Sequence, residues 1–210
     1  MRIEGLDAVP VSHRTVPPKT GRSTPRTEQR VRSEAASLGL GEALTYGFVA
    51  PRDLTALSAP APSVKLKNPL SEERSVMRTS LLPGLLEALR RARRHGVQDV
   101  RLFTVGRLFL PPREGSDLPH ELEASAAVLA GSRRNGLERA QPIDVYDAKG
   151  VACELLERVS AQRVTVEAAA TRSLAHLHPR AAAVLRIEGE EVGSFGQLHP
   201  EVVDRLGAIR

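Results

Sequence analysis

The chain has 210 residues, a formal net charge of +5, 41% hydrophobic residues and only 3% aromatic residues. This length and hydrophobic content suffice for one domain with a buried core, which leucine, valine and alanine must fill because tryptophan is absent. No apolar run approaches the roughly 20 residues of a membrane span, and Glu4 and Asp7 interrupt any signal-peptide pattern, so we expect a cytoplasmic protein without membrane contact. The single cysteine, Cys153, excludes an internal disulfide.

The first 26 residues contain little that can fold alone. Residues 1–10 are too short to form a domain, and residues 11–26 read as an extended linker because they hold almost no apolar side chain to bury. We therefore expect the core over residues 27–210. The positive net charge permits a polyanionic partner such as RNA, and it equally fits a basic solvated surface.

A helix followed by a strand is predicted to open the core. Thr24 is a good helix cap, Pro25 fits the first helical position, and Gly39 is a typical stop. Ala43–Ala50 alternates large and small side chains, which is typical of a strand. The apolar positions of this pair are Val31, Ala35 and Leu38 on the helix, and Leu44, Tyr46 and Phe48 on the strand.

The densest local signals lie between Asn68 and Leu89. Asn68-Pro69 marks a turn, and Thr79 or Ser80 can cap a helix that starts near Ser80 with Pro83 in its first turn. The apolar face of this helix consists of Leu82, Leu85, Leu86 and Leu89. Its last turn is strongly basic, with Arg90, Arg91, Arg93 and Arg94. The helix dipole favours cations at this end, and contact with RNA phosphates is the alternative interpretation.

Periodicity and turn residues predict the remaining elements. A short helix over Pro51–Ser58 and a half-exposed strand over Ser63–Lys67 precede the central segment. Two long strands follow it, and then a helix capped by Asp147 that runs to Ser160. The long strands cover Asp99–Leu110 and Glu121–Ser132, and the last elements are a strand over 163–168, a hairpin turning at 188–190 and a short helix opened by Pro200.

Two polar groups are weak candidates for chemistry. Three histidines lie near the C-terminal end: His176, His178 and His199. They lack an acidic fourth ligand at motif spacing, and a backbone cap before proline explains such histidines without zinc. Lys149 lies beside Asp144 and Asp147, which reads as a surface ion pair at a helix cap. We therefore expect no catalytic residue, cofactor site or metal site in this chain.

The sequence N-P-L-S-E-E-R-S-V-M-R-T-S-L-L-P-G-L-L, which begins at Asn68, resembles a signature of the β subunit of bacterial phenylalanyl-tRNA synthetase. Residues 1–10 resemble the end of the small helical domain that precedes the family's core. Later segments also resemble the family: L-F-T-V-G-R-L-F, where Thr104 replaces a glutamate, then D-A-K-G and L-H-P. The matching positions are Asn68, Pro69, Arg78, Thr79, Ser80, Pro83, Gly84, Gly106, Lys149, Gly150, His199 and Pro200.

This resemblance implies an α+β fold with a mainly antiparallel sheet flanked by helices, like the core of class II aminoacyl-tRNA synthetases. It also implies a structural role. In the family this core pairs with a catalytic α subunit, which binds ATP, magnesium, phenylalanine and the tRNA end, so any tRNA contact by this chain is expected to be indirect or weak. The first helix and strand resemble the element that forms the subunit interface in this class.

Departures from catalytic relatives favour the same role. Catalytic subunits carry an ATP-binding arginine where this chain reads Phe109-Leu110-Pro111-Pro112. The acidic residues of the family's structural magnesium site are absent upstream. The family has a further core strand and helix beyond the position of Arg210, so we expect a core truncated before its last strand.

Three hypotheses stay open. A fragment or split piece of a β subunit predicts an exposed apolar face on the first helix and strand. A free-standing paralogue predicts a homodimer through that face and salt-sensitive RNA binding through Arg90–Arg94. An enzyme with a new site would need ATP binding, and Leu110 in place of an arginine argues against that.

Overall fold

The computed structural model describes residues 27–133, 140–168 and 174–206. The predictions for the remnant 1–10, the linker 11–26 and the helix start at Thr24-Pro25 lie outside these ranges. Within the described ranges, no helix is both long enough and apolar enough to cross a membrane.

The described chain combines helices with mainly antiparallel strands, which confirms the α+β class. The helices are α1 (Thr27–Ser37), α2 (Pro51–Ala56), α3 (Leu82–Arg94), α4 (Val145–Ser160) and α5 (Pro200–Arg205). The strands are β1 (Gly41–Glu42), β2 (Phe48–Val49), β3 (Val76–Met77), β4 (Val100–Leu110), β5 (His120–Ala130), β6 (Thr165–Ala168), β7 (Leu177–Ile187) and β8 (Glu190–Leu198). A 3₁₀ turn covers Glu72–Arg74.

The strands form three sheets. The first has the order β1-β4-β5, with β1 parallel to β4 and a long antiparallel β4/β5 hairpin in register from Val100↔Ala130 to Leu110↔His120. The second pairs β2 with β3, and the third has the order β6-β7-β8. Strands β5 and β8 are therefore edge strands within the described residues.

Helices cover both faces of the β4/β5 hairpin. Side chains alternate between faces along a strand, so Val100 and Leu102 pack with α3, whereas Phe103 and Val105 pack with α1 and α4. The predicted apolar face of α3 is confirmed, because Leu85, Leu86 and Leu89 are buried and Leu82 is partly buried. The hydrophobic effect on these faces fixes the position of the N-terminal end of α3, where the candidate site lies.

The single strand predicted over Ala43–Ala50 is wrong. Gly41–Glu42 pairs with β4 and Phe48–Val49 pairs with β3, while the residues between them leave both sheets. The Tyr46 carbonyl accepts from the Arg78 guanidinium instead of from a strand, and the β2/β3 pairing resumes at Gly47 O, which accepts from the Arg78 backbone N–H. The strand predicted over Ser63–Lys67 is reduced to one bridge, between Lys65 and Val76.

The predicted cap of α4 is wrong, and the start of α3 differs from the prediction by two residues. Asp144, not Asp147, caps α4: its Oδ1 accepts from the N–H groups of Tyr146 and Asp147, and Asp147 Oδ2 accepts from the Asp144 N–H in return. Helix α3 begins at Leu82, two residues after the predicted start. Ser80 Oγ accepts from the Leu82 N–H at 3.2 Å, whereas the Thr79 hydroxyl donates to Pro60 O at 2.7 Å and takes no part in capping.

Candidate subunit interface

A buried arginine occupies the space between β4 and the start of α3. Arg78 is only 8% exposed. Its Nε donates to Arg107 O at 2.9 Å, and its Nη1 donates to Thr45 Oγ1 at 3.0 Å and to Tyr46 O at 3.3 Å. Burial lowers the pKa of Arg78, yet a guanidinium stays protonated at neutral pH. A charged group is therefore held inside the protein by a set of oxygen acceptors.

The backbone of Arg78 extends this arrangement. Its N–H donates to Gly47 O at 3.0 Å, and its carbonyl accepts from the Phe109 N–H at 2.9 Å. The residues between β1 and β2, numbered 43–47 and called the 43–47 loop here, are thus joined to β4 through one residue.

Two glycines make room for the arginine and the loop. A Cβ at Gly106 would overlap Nη2 of Arg78 and lie 3.2 Å from its Cζ. A Cβ at Gly84 would lie 2.7 Å from the Cβ of Thr45. Both distances are shorter than ordinary van der Waals contact, so neither position accepts a side chain without displacement of its neighbour. Glycine at both signature positions therefore has the same explanation: a neighbouring side chain occupies the space that a Cβ would need.

Thr104, which replaces the family's glutamate, lies in the same buried group. It is 3% exposed, and its Oγ1 is 3.3 Å from Thr45 Oγ1. Among the described residues, no carboxylate pairs with Arg78, so hydroxyl and carbonyl oxygens alone surround its charge. Sequence reasoning gave no account of this substitution, because its effect depends on a contact with a residue 59 positions away.

The outer side of this framework carries exposed apolar side chains. Leu44 is 94% exposed, Tyr46 is 63% exposed and Phe48 is 37% exposed. We call these three residues the Tyr46 surface. The Arg74 guanidinium stacks on the Tyr46 ring, with Cζ 3.9 Å from the ring centroid. Sequence reasoning named the three apolar residues and missed Arg74, which reaches the ring only because the 3₁₀ turn lies beside β2.

A cleft of about 470 Å³ adjoins the Tyr46 surface. Phe48, Pro83 and Leu86 contribute apolar walls, and Arg90 and Asp53 contribute charge. Burial raises the pKa of the Asp53 carboxyl. The cleft therefore combines aromatic, aliphatic and charged groups, the mixture typical of protein contact surfaces.

The predicted interface face of α1 does not belong to this surface. Ala35 is fully buried and packs with Leu40 and Phe103, and Leu38 is partly buried against the same cluster. The prediction treated the apolar side of this helix as free for a partner. That side instead packs within the chain, so Ala35 has no exposed atom to offer, and Val31 is half-buried.

Several signature residues lie elsewhere on the surface. Asn68 and Pro69 are exposed, and the neighbouring Leu70 is fully exposed, a feature that sequence reasoning missed. Lys149 and Gly150 are exposed on α4.

The ion pair at the α4 cap is formed by Arg133, not Lys149: its guanidinium donates to Asp144 Oδ2 at 2.6 Å and to both Asp147 oxygens at 2.9 Å. Partial desolvation opposes the shift, but hydrogen bonds from the Tyr146 N–H and from Arg133 hold the pKa of Asp144 below its ordinary value.

The four arginines predicted as a possible RNA contact are not equivalent. Arg91 and Arg94 are exposed, and Arg91 lies 3.7 Å from Glu87. Arg93 donates to Gln98 Oε1 at 2.9 Å, and Arg90 reaches Leu206 O at 3.4 Å. Three of the four, Arg90, Arg91 and Arg93, therefore have contacts within the chain.

The histidines act as local backbone acceptors. His199 Nδ1 accepts from the Glu201 N–H at the start of α5, and His178 Nδ1 accepts from the Arg180 N–H, each at 3.2 Å. The two rings stack with centroids 6.1 Å apart. The backbone-cap interpretation is thus confirmed for both.

Burial lowers the pKa of His176, and burial raises the pKa of the Cys153 thiol on α4. Over the described ranges, no group of three or more His, Cys, Asp or Glu residues is placed to hold a metal ion.

Comparison with known proteins identifies the family. Residues 9–208 match the family described as the phenylalanyl tRNA synthetase beta chain CLM domain. The chain belongs to this family. It is 37% identical to the phenylalanine–tRNA ligase beta subunit of Geobacter metallireducens, over 98% of this chain and 26% of the relative. It is also 37% identical to the corresponding subunit of Moorella thermoacetica, over 85% of this chain and 22% of the relative.

This member of the family spans about a quarter of the length of those β subunits. Its fold resembles that of a pyrrolysyl-tRNA synthetase from Desulfitobacterium hafniense, with a TM-score of 0.62 at 13% identity. The alignment covers 85% of this chain and 60% of that synthetase. At this identity the comparison supports the fold alone, and it agrees with the hairpin and flanking helices described above.

Proposed function

We propose that this chain forms the non-catalytic core of a phenylalanine–tRNA ligase β subunit, which packs against the catalytic α subunit and supports it during aminoacylation of tRNA in the cytoplasm. The observation that carries the proposal is the Tyr46 surface. Leu44 and Tyr46 are exposed apolar residues on a loop that a buried arginine holds in place. Tyrosine and arginine are enriched among the residues that dominate binding energy at protein interfaces.

The geometry near the end of β4 supports a structural role. Arg107 is the cation of this strand end, and its guanidinium lies 2.9 Å from Glu121 and 3.8 Å from Glu123 on β5. The strand then ends in the half-buried apolar residues Leu108–Leu110. On the strands themselves, this end of the hairpin thus offers paired charges and apolar side chains. We assign ATP and magnesium to the α subunit.

We also propose that an extended segment fills the space between β5 and β8 and joins two sheets into one class II-type sheet. A cavity of about 780 Å³ lies there, lined by both edge strands and by apolar side chains of α3 and α4, including Leu86 and Leu155. An unpaired strand edge exposes backbone donors and acceptors that a further strand can satisfy. Amide exchange tests this part: β5 and β8 amides should become protected when a peptide corresponding to the family's further core strand is added.

The other candidate is a free-standing, homodimeric RNA-binding or regulatory module. The exposed Arg91 and Arg94 at the C-terminal end of α3 favour it. Its binding to RNA would weaken steeply with salt, and replacement of both arginines by glutamine would abolish it.

Co-purification with the α subunit from the same source tests the main proposal. The wild-type chain should be retained, whereas a Leu44→Ser, Tyr46→Ser double variant should be lost from the complex. Leu122→Ser is the matched control, because Leu122 is an exposed leucine (44%) on β5 outside the Tyr46 surface. Equal retention of all three chains would contradict the proposed surface.

A further inference from the structure

We infer that Arg78 is a positioning residue for the partner-binding loop: it holds the 43–47 loop in the conformation that presents Leu44 and Tyr46, without touching the partner itself. The inference rests on the proposed function, since it names the internal group that shapes the proposed surface. Arg78 is 8% exposed, whereas Tyr46 on the other side of the loop is 63% exposed.

The loop has few other attachments. It is fixed at one end by the Ala43 N–H, which donates to Phe103 O at 2.7 Å, and at the other by the pairing of Phe48 with Met77. Between these ends, the Arg78 guanidinium donates to the Thr45 hydroxyl and to the Tyr46 carbonyl. The Arg78 backbone N–H donates to Gly47 O and so continues the β2/β3 pairing to the end of the loop. The other contacts of polar groups with the loop interior are the one between the Thr45 and Thr104 hydroxyls and the stacking of Arg74 on the Tyr46 ring.

The opposite side of Arg78 is anchored independently. Its Nε donates to Arg107 O and its carbonyl accepts from the Phe109 N–H, both on β4 at 2.9 Å. One planar guanidinium thus bridges a rigid strand and a loop in fixed geometry. Lysine cannot reproduce this bridge, because its ammonium is a point charge without a planar fork of donors.

Thr45→Val is the mildest test, because it keeps the shape of the side chain while it removes one acceptor of Arg78 together with the hydroxyl contact to Thr104. Arg78→Lys is the second variant and keeps the charge. Thr165→Val is the matched control, since this exposed β6 threonine donates to Arg186 O on a distant hairpin. The backbone N–H at position 78 donates to Gly47 O, next to the β2/β3 pairing, and therefore reports on the Gly47 end of the loop.

In the free chain, both variants should raise hydrogen exchange of the position-78 amide by about tenfold or more, while exchange of the Met77 amide, which donates to Val64 O, stays unchanged. Both should also weaken association with the α subunit by about tenfold. In a Tyr46→Ala background, Thr45→Val should add less than about twofold, because the two changes act through one loop.

Unchanged exchange at position 78 in Thr45→Val, or a full additional loss of binding in the Tyr46→Ala background, would overturn the inference. The exchange measurement needs no partner, so it separates this inference from the proposed function. Faster exchange at position 78 with unchanged binding to the α subunit would show that Arg78 holds the loop. It would also contradict the proposal that the Tyr46 surface is the interface.

Discussion

The Nη2 atom of Arg78 lies where a Cβ at Gly106 would be. The arginine comes from the segment before α3 and the glycine from the middle of β4, 28 positions later in the chain. The missing side chain lets a guanidinium lie flat against the strand backbone, where Nε reaches the Arg107 carbonyl at 2.9 Å. Position 106 must therefore be glycine for the Arg78 guanidinium to approach the β4 backbone closely.

Gly106→Ala is expected to lower the free energy of unfolding by about 1–3 kcal/mol, because overpacking forces Arg78 away from its acceptors. Gly193→Ala on β8 is the matched control: a Cβ there would lie 3.9 Å from Leu185 Cδ1, an ordinary contact. Urea unfolding of both variants measures the difference. Equal stability of the two variants would contradict the close-approach account.

At neutral pH, Thr104→Glu is expected to have a free energy of unfolding about 1 kcal/mol above that of Thr104→Gln, because only the glutamate supplies a carboxylate to a buried cation that now has only neutral acceptors. The two variants have nearly the same shape, so the gain is measured between them. The gain of the glutamate variant should vanish in an Arg78→Met background. A glutamate variant no more stable than the glutamine variant would rule out this pairing.

His176 should make stability depend on pH. Burial lowers its pKa in the folded state, so the unfolded chain binds the proton more readily. The contribution of His176 to the free energy of unfolding is therefore complete above its unfolded-state pKa of about 6.5. It decreases as the pH falls from there toward the lower pKa of the folded state. Unfolding midpoints measured from pH 8 to pH 5 should decline, and His176→Gln should flatten part of that decline. An identical slope in the variant would refute the assignment.

Ala35 and Leu44 should respond oppositely to substitution, because one is fully buried and the other 94% exposed. Ala35→Leu should lower the free energy of unfolding by about 1–3 kcal/mol through overpacking against Phe103. Leu44→Ser should change it by less than about 0.5 kcal/mol. Thermal and urea unfolding of the two variants give the comparison. A tolerated leucine at position 35 would reopen the α1 face as a docking surface.

Sequence patterns predicted those helices and strands whose formation depends on residues close together in the chain. The apolar spacing of α3 from Leu82 to Leu89 and the long β4/β5 hairpin follow from periodicity and turn chemistry, and both are confirmed. Such patterns identified Leu44, Tyr46 and Phe48 as one apolar group, although only Phe48 lies in a strand.

Contacts between distant segments were beyond such reasoning. The strand predicted over residues 43–50 failed because the chain changes partner there, from β4 to β3, and because the Arg78 guanidinium donates to the Tyr46 carbonyl in between. Ala35 was assigned to a partner surface because the spacing of apolar residues in a helix identifies an apolar face. It does not show whether a partner or the same chain covers that face. Asp144 was overlooked as the α4 cap because Asp147 has the same side-chain chemistry, and the backbone N–H groups that donate to Asp144 show which of the two begins the helix.

The mass in solution of this chain, co-expressed with the α subunit from the same source, tests the central claim most directly. A species whose mass includes both chains, and which dissociates when Leu44 and Tyr46 are both replaced by serine, is the predicted result. A stable homodimer that leaves the α subunit free would contradict the assignment to the ligase. It would favour the free-standing RNA-binding or regulatory module instead.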